Sequence, residues 1–164
     1  MAFYKKLKDL GLSDVINRTT YHPQNLKGSK RIYNYLDDII NNNRKVLLYG
    51  DYDADGLCCI LNWKETFSLL RYINYDIFPY GNRTHKLDKE AVKRAIEGGY
   101  QYIIINDTAS NELDKLNKLL KYGLKVIVVD HHQTKYNYED YPKGVAIVNN
   151  VIENRLIGRD RKSV

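Results

Sequence analysis

Apolar positions recur along this chain in two rhythms. Short, nearly continuous runs fall at Val46–Tyr49, Tyr75–Tyr80, Gln101–Asn106, Lys125–Val129 and Val145–Val148. Runs of that length, bounded by polar and glycine residues, predict strands buried on both faces. Between them the apolar spacing becomes helical. Ile32, Tyr35, Leu36, Ile39 and Ile40 form one stripe over Lys30–Asn41. Further helices are predicted over Leu57–Arg71, over Lys89–Glu97 with Asp88 as N-cap, and over Ser110–Tyr122 with Gly123 after it. Strand and helix alternate, which predicts an α/β fold: a three-layer open sheet, mostly parallel, of about five strands with helices on both faces. A weaker helical pattern, Phe3 to Leu10, ends at Gly11, and Leu12 to Ile16 adds a second turn. The organisation read from this is an N-terminal helical arm over 1–44, a core over 45–150 and a charged tail over 151–164.

Chemistry gathers where the strands end. The first strand breaks into Gly50 and then Asp51, Asp53 and Asp55, closed by Gly56. The strand Tyr102–Asn106 runs into Asp107, and Lys125–Val129 runs into Asp130, His131 and His132. In an open α/β sheet the carboxyl ends of the strands are where ligands sit. Carboxylates crowded there repel one another unless a cation neutralises them. Carboxylate with imidazole suits Mn²⁺ or a similar borderline metal better than Ca²⁺. The stretch D-x-D-x-D-G also matches the start of an EF-hand loop. That loop needs a bidentate Glu at its twelfth position, where this chain has Asn62, and a helix rather than a strand before it. A solvated turn without a ligand is the plainer alternative for one such tip; three tips of one kind argue against it.

Composition changes this picture little. The 164 residues suit one domain with a real core. A net charge of +6 leans weakly towards a polyanionic partner. The 15 tyrosines could stack on bases, although Asn-, Ile-, Lys- and Tyr-rich usage also reflects genome composition. Adjacent Cys58 and Cys59 cannot readily bridge, and they are expected to be small core residues beneath the acidic turn. Trp63 and Phe67, four apart on one helix, are expected in the core. The longest apolar runs are strand-length, so neither a membrane span nor a signal peptide is predicted and the expected location is cytoplasmic.

GDYDADG at 50–56, Asp107, and Asp-His-His at 130–132 resemble, in order and spacing, the motifs of the DHH phosphoesterase superfamily. YGDYDADG is similar to the RecJ-like single-stranded DNA exonuclease branch in particular, and the likeness runs from about residue 20 to 150. The resemblance implies direct metal ligation by Asp53, Asp55, Asp107 and His131, with Asp107 bridging, and one or two Mn²⁺ (or Mg²⁺) ions. It implies that Asp51 and Asp130 hold the turn and the histidines in place. His132 would contact the scissile phosphate or protonate the leaving oxygen. Asn82 and Arg83 match a substrate-side pair, and Arg83 would make a natural fork for a phosphate. His85, in the same loop, reads as a surface histidine.

The implied function is Mn²⁺-assisted hydrolysis of phosphodiesters in single-stranded DNA by Asp53, Asp55, Asp107, His131 and His132. Two other readings stand beside it. One is a truncated or split module that binds nucleic acid or a partner chain completing the site. The other is a phosphodiesterase for short oligonucleotides or cyclic dinucleotides. The chain departs from the pattern at Tyr49, where many members carry His, and at Thr108-Ala109, where a small residue and Gly are usual. The family's further Asp downstream and its second domain have no counterpart here, Asp140 and Asp160 being poor substitutes by spacing.

Overall fold

The computed structural model describes Asp9 and residues 26–78 and 85–156. The expected helices over Phe3–Leu10 and Leu12–Ile16 lie outside the described residues, apart from Asp9, as do Asn82 and Arg83. Five strands form one sheet: β1 (Val46–Gly50), β2 (Tyr75–Ile77), β3 (Tyr102–Asn106), β4 (Lys125–Asp130) and β5 (Val145–Asn149). All described pairings are parallel, and the order across the sheet is β2-β1-β3-β4-β5. The helices are α1 (Ser29–Asn41), α2 (Ala54–Leu69), α3 (Lys89–Glu97), α4 (Leu113–Lys121) and α5 (Asn150–Leu156).

The register explains the continuous apolar runs. Leu47, Ile103, Val126 and Val145 lie in one row across the sheet, and Leu48, Ile104, Ile127 and Ala146 in the next. Successive side chains point to opposite faces, so these two rows serve different cores. The first packs with Leu87, Ala91, Val92, Ala95, Leu116 and Leu119, from α3, α4 and the chain before α3. The second packs with Ile32, Leu36, Ile39, Ile60 and Phe67, from α1 and α2. Both faces are therefore covered by helices, as an all-parallel sheet requires.

The chain leaves β1 in one direction, to β2, and later fills the other side through β3, β4 and β5. The order reverses between β1 and β3. In doubly wound sheets this switch point opens a crevice beyond the strand carboxyl ends.

Several boundaries differ from the sequence pattern, among them the start of α4 at Leu113 and not Ser110. The second strand stops at Ile77, before Pro79, which lacks the N–H that a ladder needs. α2 starts three residues earlier than its apolar run, because Asp53 caps it: its side chain accepts from the N–H groups of Asp55 and Gly56. The start of the supposed charged tail is helical through Leu156, with Ile152 fully buried in the first core.

Candidate metal centre

Register alone brings the acids together. Gly50, Asn106 and Val129 are paired in one row, so Asp51, Asp107 and Asp130 follow one residue beyond on three adjacent strands. Asn149 of β5 pairs with Asp130 and ends the row. Backbone hydrogen bonds extend the ladder into the tips. The Asp51 N–H donates to the Asn106 carbonyl at 3.2 Å, and the Asp107 N–H to the Val129 carbonyl at 2.8 Å.

The acidic turn is tight because two backbones touch. A Cβ built on Gly56 would meet three backbone atoms of Asp51 at 2.3–2.7 Å. Only glycine lets the first turn of α2 close onto the strand end. Asp53 spends one oxygen on this closure: Oδ1 accepts from Asp55 N and Gly56 N, both at 3.1 Å. Those backbone N–H groups hold its carboxyl below the ordinary range, with further help from Asp107 and His85. Asp51 is buried and likewise spends Oδ1, on the Tyr52 N–H at 2.8 Å. Asp55, in the first turn of α2, is exposed and lines a shallow cleft with Asp107 and His131.

Asp107 is the most unusual residue of the group. Its backbone is left-handed, at φ +59°, and Ala109 two residues on is at φ +82°. Its side chain is only 4% exposed, and neither oxygen receives a hydrogen bond. His131 Nε2 stands 2.8 Å from Oδ1 and His132 Nδ1 4.0 Å away. A buried, unbonded carboxylate is costly as an anion. Burial first, and then the neighbouring Asp53 carboxylate, push its pKa up to about 6.

Asp130 contrasts with it in being completely engaged. Oδ1 accepts from His131 N at 2.7 Å and His132 N at 3.1 Å, and stands 2.8 Å from His132 Nδ1. Oδ2 accepts from Ser110 N at 2.9 Å. Burial opposes its ionisation, but these donors outweigh burial and hold its pKa below the ordinary value. Burial also works against the His132 imidazolium, yet the Asp130 carboxylate raises its pKa on balance. Asp130 thus fixes the His132 ring and the backbone that carries both histidines.

Several supporting residues carried no signal beyond being polar at a strand end. Asn106 Nδ2 donates to the Tyr49 carbonyl at 2.9 Å, while its Oδ1 accepts from Trp63 Nε1 at 2.8 Å. One side chain so joins β1, β3 and α2. Asn149 Nδ2 donates to the His132 carbonyl and to Ser110 Oγ. His85, read as a surface histidine, is exposed, and it also reaches the acidic turn: Nδ1 is 2.6 Å from Asp51 Oδ2. The two cysteines are not core residues: Cys58 is exposed and Cys59 half-buried. Neighbours on a helix lie about 100° apart, and the inward face of α2 is taken by Gly56, Ile60 and Phe67.

Among the described residues, two groups could each hold a cation: Asp107 with His131 and His132, and Asp51 with Asp53 and His85. Within each group the ligand atoms lie within 4.8 Å of one another. The orphaned Asp107 oxygens are the sharper sign of fit, since a divalent ion would remove both the desolvation cost and the repulsion from Asp53. The oxygen and imidazole donors suit Mn²⁺ or Mg²⁺.

Against this geometry, the model of the DHH family, N-terminal domain, matches residues 45–155. The chain belongs to the DHH family. Among curated relatives, the single-stranded-DNA-specific exonuclease RecJ of Bacillus subtilis (strain 168) is 28% identical over 114 residues, covering 69% of this chain and 14% of that protein. The Haemophilus influenzae exonuclease of the same name is 28% identical over 137 residues, covering 80% of this chain and 23% of its own length. The chain therefore spans less than a quarter of these relatives. Solved RecJ structures share the fold. RecJ in complex with Mn²⁺ from Thermus thermophilus superposes with a TM-score of 0.60 at 24% identity, over 76% of this chain and 17% of that one. An exonuclease RecJ bound to manganese gives 0.63 at 24% identity, over 76% and 31%. No helix among the described residues is long and apolar enough to cross a membrane.

Proposed function

We propose that this chain is a Mn²⁺-dependent DHH phosphoesterase domain that hydrolyses phosphodiesters of single-stranded DNA. The observation that carries the reading is the meeting of three adjacent parallel strand tips around Asp107, a buried carboxylate with no hydrogen-bond donor. The exonuclease relatives supply the substrate class.

In this reading Asp53, Asp55, Asp107 and His131 hold one or two ions, Mn²⁺ in the first place and Mg²⁺ as the alternative. When bound, a divalent ion polarises the phosphoryl group and acidifies water. The protein does the rest. The strand tips fix the carboxylates before substrate arrives, so no reorganisation is needed during reaction. The α2 N-terminus, capped by Asp53, turns its positive dipole end towards the same place and favours an anionic group. Asp130 holds His132 through Nδ1 and leaves Nε2 to meet substrate. The raised pKa of His132 keeps it more often protonated near neutrality, so Nε2–H can bond the scissile phosphate or give its proton to the leaving oxygen. Asn82 and Arg83 follow β2 in sequence and are assigned to the substrate phosphate.

The test is release of mononucleotides from 5′-phosphorylated single-stranded DNA, with Mn²⁺ or EDTA, beside the double variant Asp53→Ala/His131→Ala. The reading expects release that needs Mn²⁺ and that the variant lacks. Folded protein that binds Mn²⁺ but releases nothing would sink self-sufficient catalysis and leave a metal-binding module that requires a second domain or a partner chain.

A further inference from the structure

Of the group of Asp51, Asp53 and His85, only Asp53 enters the reading above, as a metal ligand, and His85 has no part in it. We propose that His85 is a nitrogen ligand of a second cation subsite, formed with Asp51 and Asp53 beside the group of Asp107, His131 and His132. The proposal rests on the reading that the strand tips hold a divalent ion.

Three observations carry it. First, the position of His85 is enforced. Its backbone is left-handed, at φ +48°, a conformation that costs energy in any residue but glycine. The surroundings hold it there. Thr108 Oγ1 donates to the His85 carbonyl at 3.1 Å, tying it to the Asp107 loop. The Tyr49 hydroxyl donates to the Lys86 carbonyl at 3.1 Å and accepts from the Asp88 N–H at 3.2 Å. Lys115 Nζ donates to the Leu87 carbonyl at 2.7 Å, and the Leu87 side chain is buried in the core.

Second, the ring is oriented as a ligand would be. Nδ1 faces the carboxylates, 2.6 Å from Asp51 Oδ2 and 3.8 Å from Asp53 Oδ2. Nε2 lies 3.0 Å from the Tyr52 hydroxyl, whose ring packs 4.7 Å from the imidazole. A metal-ligating histidine commonly gives its other ring N–H to an oxygen, which fixes tautomer and tilt. Tyr52 stands where that oxygen is needed.

Third, each carboxylate has one oxygen held by backbone and the other left for the subsite. Asp51 Oδ1 is held by Tyr52 N, and Asp53 Oδ1 by Asp55 N and Gly56 N. A bare His85–Asp51 ion pair would account for the 2.6 Å contact alone. It would leave both buried oxygens of Asp107 without a hydrogen bond. The two groups also adjoin: the His85 and His132 rings are 6.4 Å apart.

The experiment titrates Mn²⁺ into the full chain by calorimetry and reads nitrogen couplings to bound Mn²⁺ by pulsed EPR. It compares wild type with His85→Ala, His85→Gln and His131→Ala. Glutamine can keep a hydrogen bond to Asp51 but is a poor Mn²⁺ ligand, so it separates ligation from support of the fold. Melting in EDTA establishes that each variant is folded. Wild type is expected to bind two ions. His85→Gln and His85→Ala are expected to weaken one of them by roughly 10–100-fold and to remove one imidazole coupling, while His131→Ala weakens the other. A single ion in wild type overturns the proposal, as do two ions whose affinities and couplings ignore His85. In those cases the metal centre itself stands. Absence of any Mn²⁺ binding in wild type would instead overturn the reading on which the proposal rests. A single ion in wild type overturns the proposal even where a variant unfolds.

Discussion

The sheet has two ends, and each carries a partly or fully buried aspartate in a different condition. At the amino end, Asp38 of α1 is surrounded by donors: the Tyr102 hydroxyl, Lys125 Nζ at 3.1 Å, Asn42 Nδ2 at 2.6 Å and Arg44 Nε at 3.3 Å. Burial opposes its ionisation, but these partners outweigh burial and hold its pKa well below the ordinary range. At the carboxyl end, neither Asp107 oxygen receives a hydrogen bond, although His131 Nε2 stands 2.8 Å from Oδ1, and burial followed by the Asp53 carboxylate pushes its pKa up to about 6. The same side chain is a finished structural element at one end and an unfinished one at the other. A protein that could satisfy Asp38 so fully was not short of donors. The difference is the support for our proposal that the carboxyl end takes up a cation.

The largest effect expected from breaking this contrast is at Asp107. Asp107→Asn keeps the shape and removes the charge. Mn²⁺ affinity, read by calorimetry, should fall at least ~100-fold, since a central carboxylate ligand is lost. Without metal the sign reverses. The folded carboxyl titrates near 6 and the unfolded one near 3.8. Between those values the folded state holds the extra proton, so this group makes stability fall as pH rises, and above pH 6 the loss is constant. Wild type in EDTA should therefore be less stable than Asp107→Asn at pH 7 by on the order of 2 kcal/mol, and about equal to it at pH 4. Denaturant melts at the two pH values check this. A variant no more stable than wild type at pH 7 would mean that Asp107 is satisfied in a way its surroundings do not reveal.

Asp38→Asn should do the opposite. It weakens a half-exposed network of charged hydrogen bonds and should cost about 1–2 kcal/mol near neutrality, with Mn²⁺ affinity unchanged. The Asp38 pKa is depressed in the folded state, so its contribution is present above about pH 4 and is lost on further acidification. The stability gap between wild type and variant should therefore close as pH falls below about 4. A change in metal affinity would show that the two ends of the sheet are coupled, against the comparison.

Smaller again is Trp63→Phe. It removes the N–H that meets Asn106 Oδ1 and should cost about 1 kcal/mol. Because Asn106 also holds the Tyr49 carbonyl beside the acidic turn, Mn²⁺ affinity should drop a few-fold at most. A drop as large as that from Asp107→Asn would make Asn106 the true organiser of the tips.

How the chain reads as bare sequence follows from the same contrast. The strands were legible because both faces are buried, so VLLY, YIII and KVIVV are apolar without interruption. The acids were legible because they sit one residue past those runs, where a parallel register must align them. His85 was not legible. Thr108 holds its carbonyl, and Tyr49 and Lys115 hold those of Lys86 and Leu87 after it; all three are distant in sequence, and nothing in the local sequence announces them. The helical start of the tail was hidden too, because Ile152 is the one fully buried residue seen in a charged stretch. Cys58 and Cys59 misled because residue type suggested burial, while helix phase set one outward.

The smallest expected effect concerns Ala109, and it asks whether the strain at the carboxyl end is needed. Ala109 is left-handed at φ +82° and buried against the first core. Its Cβ costs about 1–2 kcal/mol in that conformation, a cost glycine avoids. The same Cβ gains about 0.8 kcal/mol from burial, and glycine adds backbone entropy to the unfolded chain worth ~0.4–1 kcal/mol. These terms nearly cancel, so Ala109→Gly should change stability by less than ~1 kcal/mol, with strain relief setting the sign if the methyl packs loosely. The informative reading is Mn²⁺ affinity. If the loop is held by Ser110 N on Asp130 and by Thr108 Oγ1 on His85, affinity should be unchanged, because those anchors remain. A clear fall in affinity at constant stability would mean that the stiffness of Ala109 itself keeps the Asp107 carboxylate aimed at the site.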